Sequence, residues 1–133
     1  MGPVAPILWI GIIFGFSLTV DPSGGIDPWF VKLVSPLVHA TEFLLLAVLL
    51  SAIRTKWFSW KTVLAIGLLI AFMDEFLIQA MTPERVSDLW DVAADAFGLL
   101  VGVALAPHVR RLTPLIEWGS VLIAGLILFR FFT

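Results

Sequence analysis

Apolar residues run in long blocks along this chain, and the polar positions between them mark where each block stops. No charged residue interrupts the run from Pro6 to Val20. The stretch Asp21-Pro22-Ser23-Gly24-Gly25-Ile26-Asp27-Pro28 then brings two prolines and two glycines together, which a continuous helix does not tolerate. Further apolar blocks occupy about 35–53, 61–81, 87–106 and 114–132. Most have the roughly 18 to 21 residues that an α-helix needs to cross a ~30 Å hydrocarbon core. The pattern predicts an all-α fold, a polytopic transmembrane helical bundle of about five spans, forming one domain over residues 1–133.

The connections add punctuation and charge. Arg54, Lys56 and Lys61, with Trp57 and Trp60 beside them, make a basic and aromatic collar of the kind found where a helix leaves a membrane. Thr82-Pro83 suits the start of a new helical segment, because threonine caps early backbone donors and proline at the first helical position loses no needed N–H. Pro107 is expected to end the fourth span; His108, Arg110 and Arg111 follow as a second basic loop, and Pro114 opens the last block. Five cations (Arg54, Lys56, Lys61, Arg110, Arg111) fall on one side and three (Lys32, Arg85, Arg130) on the other, which predicts a cytoplasmic N-terminus and an outer C-terminus. The first block has no basic segment before it and no small-residue cleavage pattern before Asp21, so it reads as a retained span.

Composition agrees with lipid as the solvent: 60% of residues are hydrophobic and 14% charged, and the mean hydropathy is +1.05. A net charge of -2 argues against a nucleic-acid partner. The absence of cysteine excludes disulfides and thiolate metal sites.

Seven of the ten acidic residues lie between His39 and Asp95. A charge at a helix centre costs about 2.5–3.5 kcal/mol to insert. These carboxylates are therefore expected to point into the bundle, pair with cations, take up protons or line a wet cavity. Because successive spans alternate direction, the start of span two, the end of span three and the start of span four share one side of the membrane. His39 and Glu42 lie at the first of these ends, Asp74, Glu75 and Gln79 at the second, and Arg85, Asp88, Asp91 and Asp95 at the third. With a rise of ~1.5 Å per residue, Glu75 and Asp95 sit at matched depths, roughly 10 Å below the same surface. Glu75 and Gln79 share a helix face at i, i+4, and Asp88, Asp91, Asp95, Gly98 and Gly102 make one stripe. The two glycines offer a surface that a neighbouring helix can approach closely.

The order His39-Ala40-Thr41-Glu42-Phe43, then Asp74-Glu75-Phe76-Leu77-Ile78-Gln79, then Pro83-Glu84-Arg85 with Asp88, Asp91, Asp95 and Gly98, resembles the VanZ-like family of bacterial membrane proteins over about residues 35–105. The resemblance implies a four-span core with an added C-terminal span, a place in the bacterial cytoplasmic (inner) membrane, and an association with resistance to the glycopeptide antibiotic teicoplanin. It implies no settled activity. Glu84 stands where the family often has glycine and Asp95 where asparagine is common, so this chain carries an extra acid at each position.

Within the cluster the residues leave alternatives open. His39 and Glu42 form either an acid–base pair or a buried pair that fixes helix position. Asp74 and Glu75 point about 100° apart on an α-helix, so one is expected to work inward and the other to meet an adjacent helix or Arg85. Arg85 is either a ligand for a phosphate or carboxylate, or an interfacial anchor paired with Asp88. Asp88 and Asp91 have the positions of ordinary helix N-terminal acids, whereas Asp95 lies too deep for that role. Carboxylates with one imidazole also suit a hard divalent ion such as magnesium, calcium or manganese, although no known ligand signature is present.

The expected function is action at the outer leaflet on a lipid or lipid-linked cell-wall precursor. His39, Glu42, Asp74, Glu75 and Asp95 are the catalytic candidates, and Gln79, Arg85, Asp88 and Asp91 the substrate-binding ones. With no serine or cysteine nucleophile signature, any bond chemistry would be water-mediated, with His39 as base. The alternatives are a non-catalytic binding protein, a proton-coupled small-molecule transporter whose acids act as relays, and a cluster that only locks the bundle. A homo-oligomer, joined through Gly98 and Gly102 or through Gly11 and Gly15, would supply a further wall.

Overall fold

The computed structural model describes residues 3–19, 28–53, 59–81 and 89–132. They form five α-helices, α1 (Val4–Thr19), α2 (Pro28–Ser51), α3 (Trp60–Met73), α4 (Leu89–Val109) and α5 (Thr113–Phe132), with no strand among the described residues. The predicted all-α class is therefore what the chain adopts. Two helical stretches, Val34–Ser51 and Leu89–Leu112, are long and apolar enough to cross a membrane, and the apolar parts of α1 and α5, Val4–Gly15 and Pro114–Ile123, are shorter.

Helix ends depart from the apolar blocks where a proline or polar residue is compatible with helix. α2 begins at Pro28 rather than at Ser35, because proline in the first turn gives up an N–H that has no intrahelical acceptor. α4 runs through Pro107 to Val109 instead of ending at the proline; this close to the C-terminus the ring removes a backbone bond only from the final turn. The basic segment after it is helical too, a 3₁₀ turn over Arg110–Leu112 leading into α5. α3 starts at Trp60, capped by Ser59, whose Oγ accepts from the Thr62 N–H at 3.3 Å. The Asp21–Asp27 break, Arg54, Lys56 and Trp57 of the collar, and the Thr82-Pro83 start lie outside the described residues.

α2 is the central helix, in contact with α1, α3, α4 and α5 and most extensively with α4. Its Phe43, Leu46, Ala47 and Leu49 are fully buried against Trp9 and Ile13 of α1, Val63, Ile70 and Ala71 of α3, and Leu99 of α4. The glycine stripe explains the close fit of α2 on α4. A Cβ added at Gly98 would come within 3.0 Å of the Ala40 carbonyl oxygen, and one at Gly102 would lie 2.5 Å from that of Leu44. Gly98 and Gly102 thus serve packing inside the chain and are not available to join copies. At Gly11 and Gly15 an added Cβ meets nothing within 4 Å.

Polarity is distributed inside out. Leu37, Phe97, Leu100, Leu122 and Leu126 are exposed, while Ser17, His39, Asp74, Glu75, Gln79 and Asp95 are buried. Against water, that much apolar surface would drive association. Against lipid it is the favoured arrangement, with the polar groups left to find one another inside.

Candidate functional site

The α2–α4 contact at Gly98 positions the first pair of polar side chains. Ala40, whose backbone meets Gly98, follows His39 directly, and Asp95 lies one helical turn before Gly98 on α4. His39 Nδ1 stands 3.0 Å from Asp95 Oδ1, and its Nε2 stands 3.9 Å from Asp91 Oδ2. Asp91 and Asp95 are four residues apart on one helix face, so the two carboxylates bracket the two ring nitrogens. The carboxylate at Nδ1 is Asp95 of the neighbouring helix rather than Glu42, which lies half-buried on α2 three residues after His39. With Asp95 accepting, the ring proton sits on Nδ1 and the Nε2 lone pair is directed away from Asp95.

Beyond Met73 the third helix widens instead of stopping. A π turn covers Asp74–Ile78 and a 3₁₀ turn Gln79–Met81, so the helical path from Trp60 to Met81 is unbroken. Its signature is the Gln79 N–H bonding to the carbonyl of Asp74, five residues back. The turn buries two consecutive acids, Asp74 at 1% exposure and Glu75 at 0%. They serve different neighbours. Asp74 Oδ2 accepts from Ser17 Oγ of α1 at 2.8 Å. Glu75 Oε1 accepts from Gln79 Nε2 and belongs with His39 and Asp91 to a group whose ligand-type atoms all lie within 4.8 Å of one another.

Of the residues singled out in the sequence, His39, Glu75, Gln79, Asp91 and Asp95 are brought together, Asp74 bonds Ser17 of α1, and Glu42 is half-buried on α2. Arg85 and Asp88 lie outside the described residues. Ser17 was not singled out. Its only sequence signal is a hydroxyl within an apolar block. Trp9 is a second anchor without a sequence signal, its Nε1–H donating to the Glu42 carbonyl at 2.9 Å and tying α1 to α2. Ser17→Ala is expected to cost about 1–3 kcal/mol, the range for removing one partner of a buried hydrogen bond. Equilibrium unfolding in mixed micelles measures it, and an unchanged stability would show that α1 is held by its apolar face alone.

Chemically, the arrangement offers one nitrogen lone pair and several carboxylate oxygens converging from α2, the π turn and α4. One oxygen, Asp95 Oδ2, is buried with no hydrogen-bond partner among the described residues. Such a set can take a proton, orient a water molecule, accept from hydroxyl or amide groups, or coordinate a cation.

A model of the VanZ/LLP1 family matches residues 7–111. No curated protein and no solved structure shows a significant match. The matched segment takes in most of the chain and every described contributor to the polar cluster, from Ser17 on α1 to Asp95 on α4, and the chain belongs to the VanZ/LLP1 family.

Proposed function

We propose that this is a multi-pass protein of the bacterial cytoplasmic membrane, with its N-terminus in the cytoplasm, whose buried cluster binds the head group of a lipid or lipid-linked cell-wall precursor from the outer leaflet. The observation that carries the reading is the convergence of His39, Glu75 and Asp91 within 4.8 Å inside a helical chain with an apolar exterior. Ionisable groups at such depth are costly, and they persist where they serve a ligand or a path.

All five helices are membrane-embedded in this proposal. The helical path from Trp60 to Met81 has the length of a span, and the two acids that lower its hydropathy are buried inside the fold. Lys61 at the start of α3 and Arg110 and Arg111 after α4 share the side opposite the cluster, as the positive-inside tendency favours. Exposed Trp60 and Trp90, at the starts of α3 and α4, fall at opposite interfaces.

Roles follow from the geometry. His39 Nε2 is the ring nitrogen left to face the ligand, with Nδ1 held by Asp95. Glu75, oriented by Gln79, and Asp91 accept from hydroxyl or amide groups of the ligand. Arg85 and Asp88, in the sequence before α4, are the remaining ligand-binding candidates, with Arg85 engaging an anionic phosphate. Altered teicoplanin sensitivity is the phenotype that the family resemblance proposes for a strain lacking the protein.

The test is thermal unfolding in lipid nanodiscs with and without a short-chain polyprenyl pyrophosphate. Wild type is expected to gain about 2.7 kcal/mol at a ligand concentration 100 times Kd. Glu75→Gln and Asp91→Asn should keep the ligand-free midpoint and lose the gain. No shift with wild type, together with lower midpoints for both variants, would mean that the cluster is a structural lock.

A further inference from the structure

We infer that His39, Glu75 and Asp91 form a divalent-cation site of the Mn2+ or Zn2+ class, in which the ion meets a phosphate-bearing head group. The inference rests on the reading of this cluster as a ligand site and adds to it the means by which an acid-rich pocket accepts an anion.

His39 and Asp91 are spaced as co-ligands rather than as a hydrogen-bonded pair. His39 Nε2 and Asp91 Oδ2 are 3.9 Å apart, beyond hydrogen-bonding reach. Two atoms bound to one ion at ~2.1 Å each are separated by roughly 3 to 4 Å. The group comes from three different helical elements, with all its ligand atoms within 4.8 Å of one another, so a small tightening would close it on an ion.

The surroundings have the outer shell that metal-binding side chains need. The imidazole nitrogen facing away from the group is held by Asp95 Oδ1 at 3.0 Å, which presents Nε2 as a lone-pair donor. This is the carboxylate–histidine–metal arrangement. Glu75 is oriented in turn by Gln79. Asp95, which holds the ligand histidine, is 0% exposed, and its Oδ2 has no hydrogen-bond partner among the described residues. A buried carboxylate with an unsatisfied oxygen favours positive charge nearby.

Ligand chemistry selects the ion. One imidazole with carboxylates, in a chain that has no cysteine, suits Mn2+ or Zn2+ better than a soft ion. Three protein ligands leave coordination positions open, the pattern of sites that meet a substrate rather than of closed structural sites.

Chelator-stripped protein in nanodiscs is titrated with Mn2+ and followed by loss of the free-ion electron paramagnetic resonance signal. One ion per chain is expected. His39→Gln, which keeps an N–H for Asp95, and Asp91→Asn should each weaken binding at least tenfold, and Asp95→Asn, outside the ligand set, about 10- to 100-fold. Metal-free thermal midpoints identify any variant that fails to fold, and Asp91→Asn, on a partly exposed side chain, is the variant best placed to fold. No stoichiometric Mn2+ or Zn2+ on wild type, or binding unchanged in folded His39→Gln and Asp91→Asn, overturns the site. The polyprenyl pyrophosphate shift is then measured with and without EDTA. A shift that persists in EDTA overturns the cation's role and leaves head-group binding standing. Stoichiometric Mn2+ with no lipid shift supports the metal site and overturns the head-group reading.

Discussion

His39→Ala is expected to lower the stability of the protein by about 3–5 kcal/mol, and the double variant His39→Leu/Asp95→Val to recover most of that loss. Asp95 is fully buried, its Oδ1 lies 3.0 Å from His39 Nδ1, and its Oδ2 has no hydrogen-bond partner among the described residues. Removing the imidazole takes away the contact at Oδ1 and opens a cavity between α2 and α4. Replacing both partners with apolar side chains removes the stranded carboxyl and fills the space, an exchange that is often neutral or stabilising. The double variant is also expected to lose every response to Mn2+ and to the polyprenyl pyrophosphate. Recovered stability without ligand response would separate what the pair does for function from what it does for the fold. A double variant as unstable as the single one would make the pair a lock between α2 and α4, and the functional proposal would lose its main support. Unfolding in mixed micelles, with both ligands as probes, decides between them.

Much of the architecture is legible in the sequence because long apolar blocks follow a simple rule. They locate five helices, and the rise per residue puts Glu75 and Asp95 at similar distances from their helix ends before any packing is known. The prolines show where that reading stops. Pro28 starts a helix and Pro107 is absorbed by one, since the outcome depends on the position of the ring within a turn and not on its presence. Five of the singled-out polar residues, His39, Glu75, Gln79, Asp91 and Asp95, were legible as neighbours but not as pairs. Spacing along α2 draws attention to Glu42 as the neighbour of His39, yet the carboxylate at Nδ1 comes from Asp95, across an interface whose closeness Gly98 determines. The glycines advertise a close approach without naming the partner helix. The π turn is invisible to a periodicity argument, because a regular helix assigns Asp74 and Glu75 their directions before the extra residue in the turn is known. Ser17 is a single hydroxyl among apolar neighbours, and only its distance to Asp74 reveals its use.

Gly98→Ala is expected to do more damage than one added methyl group suggests, destabilising the protein toward the upper end of the 1–3 kcal/mol typical of overpacking and abolishing Mn2+ binding while leaving every ligand residue in place. The added Cβ would come within 3.0 Å of the carbonyl oxygen, carbonyl carbon and Cα of Ala40. These are backbone atoms inside a helix, which cannot swing aside as a side-chain end can, so α2 as a whole must move away from α4. His39 is the residue before Ala40, and its 3.0 Å contact with Asp95 spans the same gap. Gly67→Ala is the matched control. The three atoms nearest its added Cβ all belong to the Leu99 side chain, whose end can shift where the backbone of Ala40 cannot, so the backbone approach of α2 to α4 is not directly blocked. The control should therefore lose stability modestly and keep stoichiometric Mn2+. Thermal midpoints and Mn2+ titrations on the two variants give four numbers. If Gly98→Ala binds Mn2+ as tightly as Gly67→Ala does, the close approach of α2 to α4 is not what holds the site together, and the path argued from the glycine stripe to the His39–Asp95 contact fails at its first step.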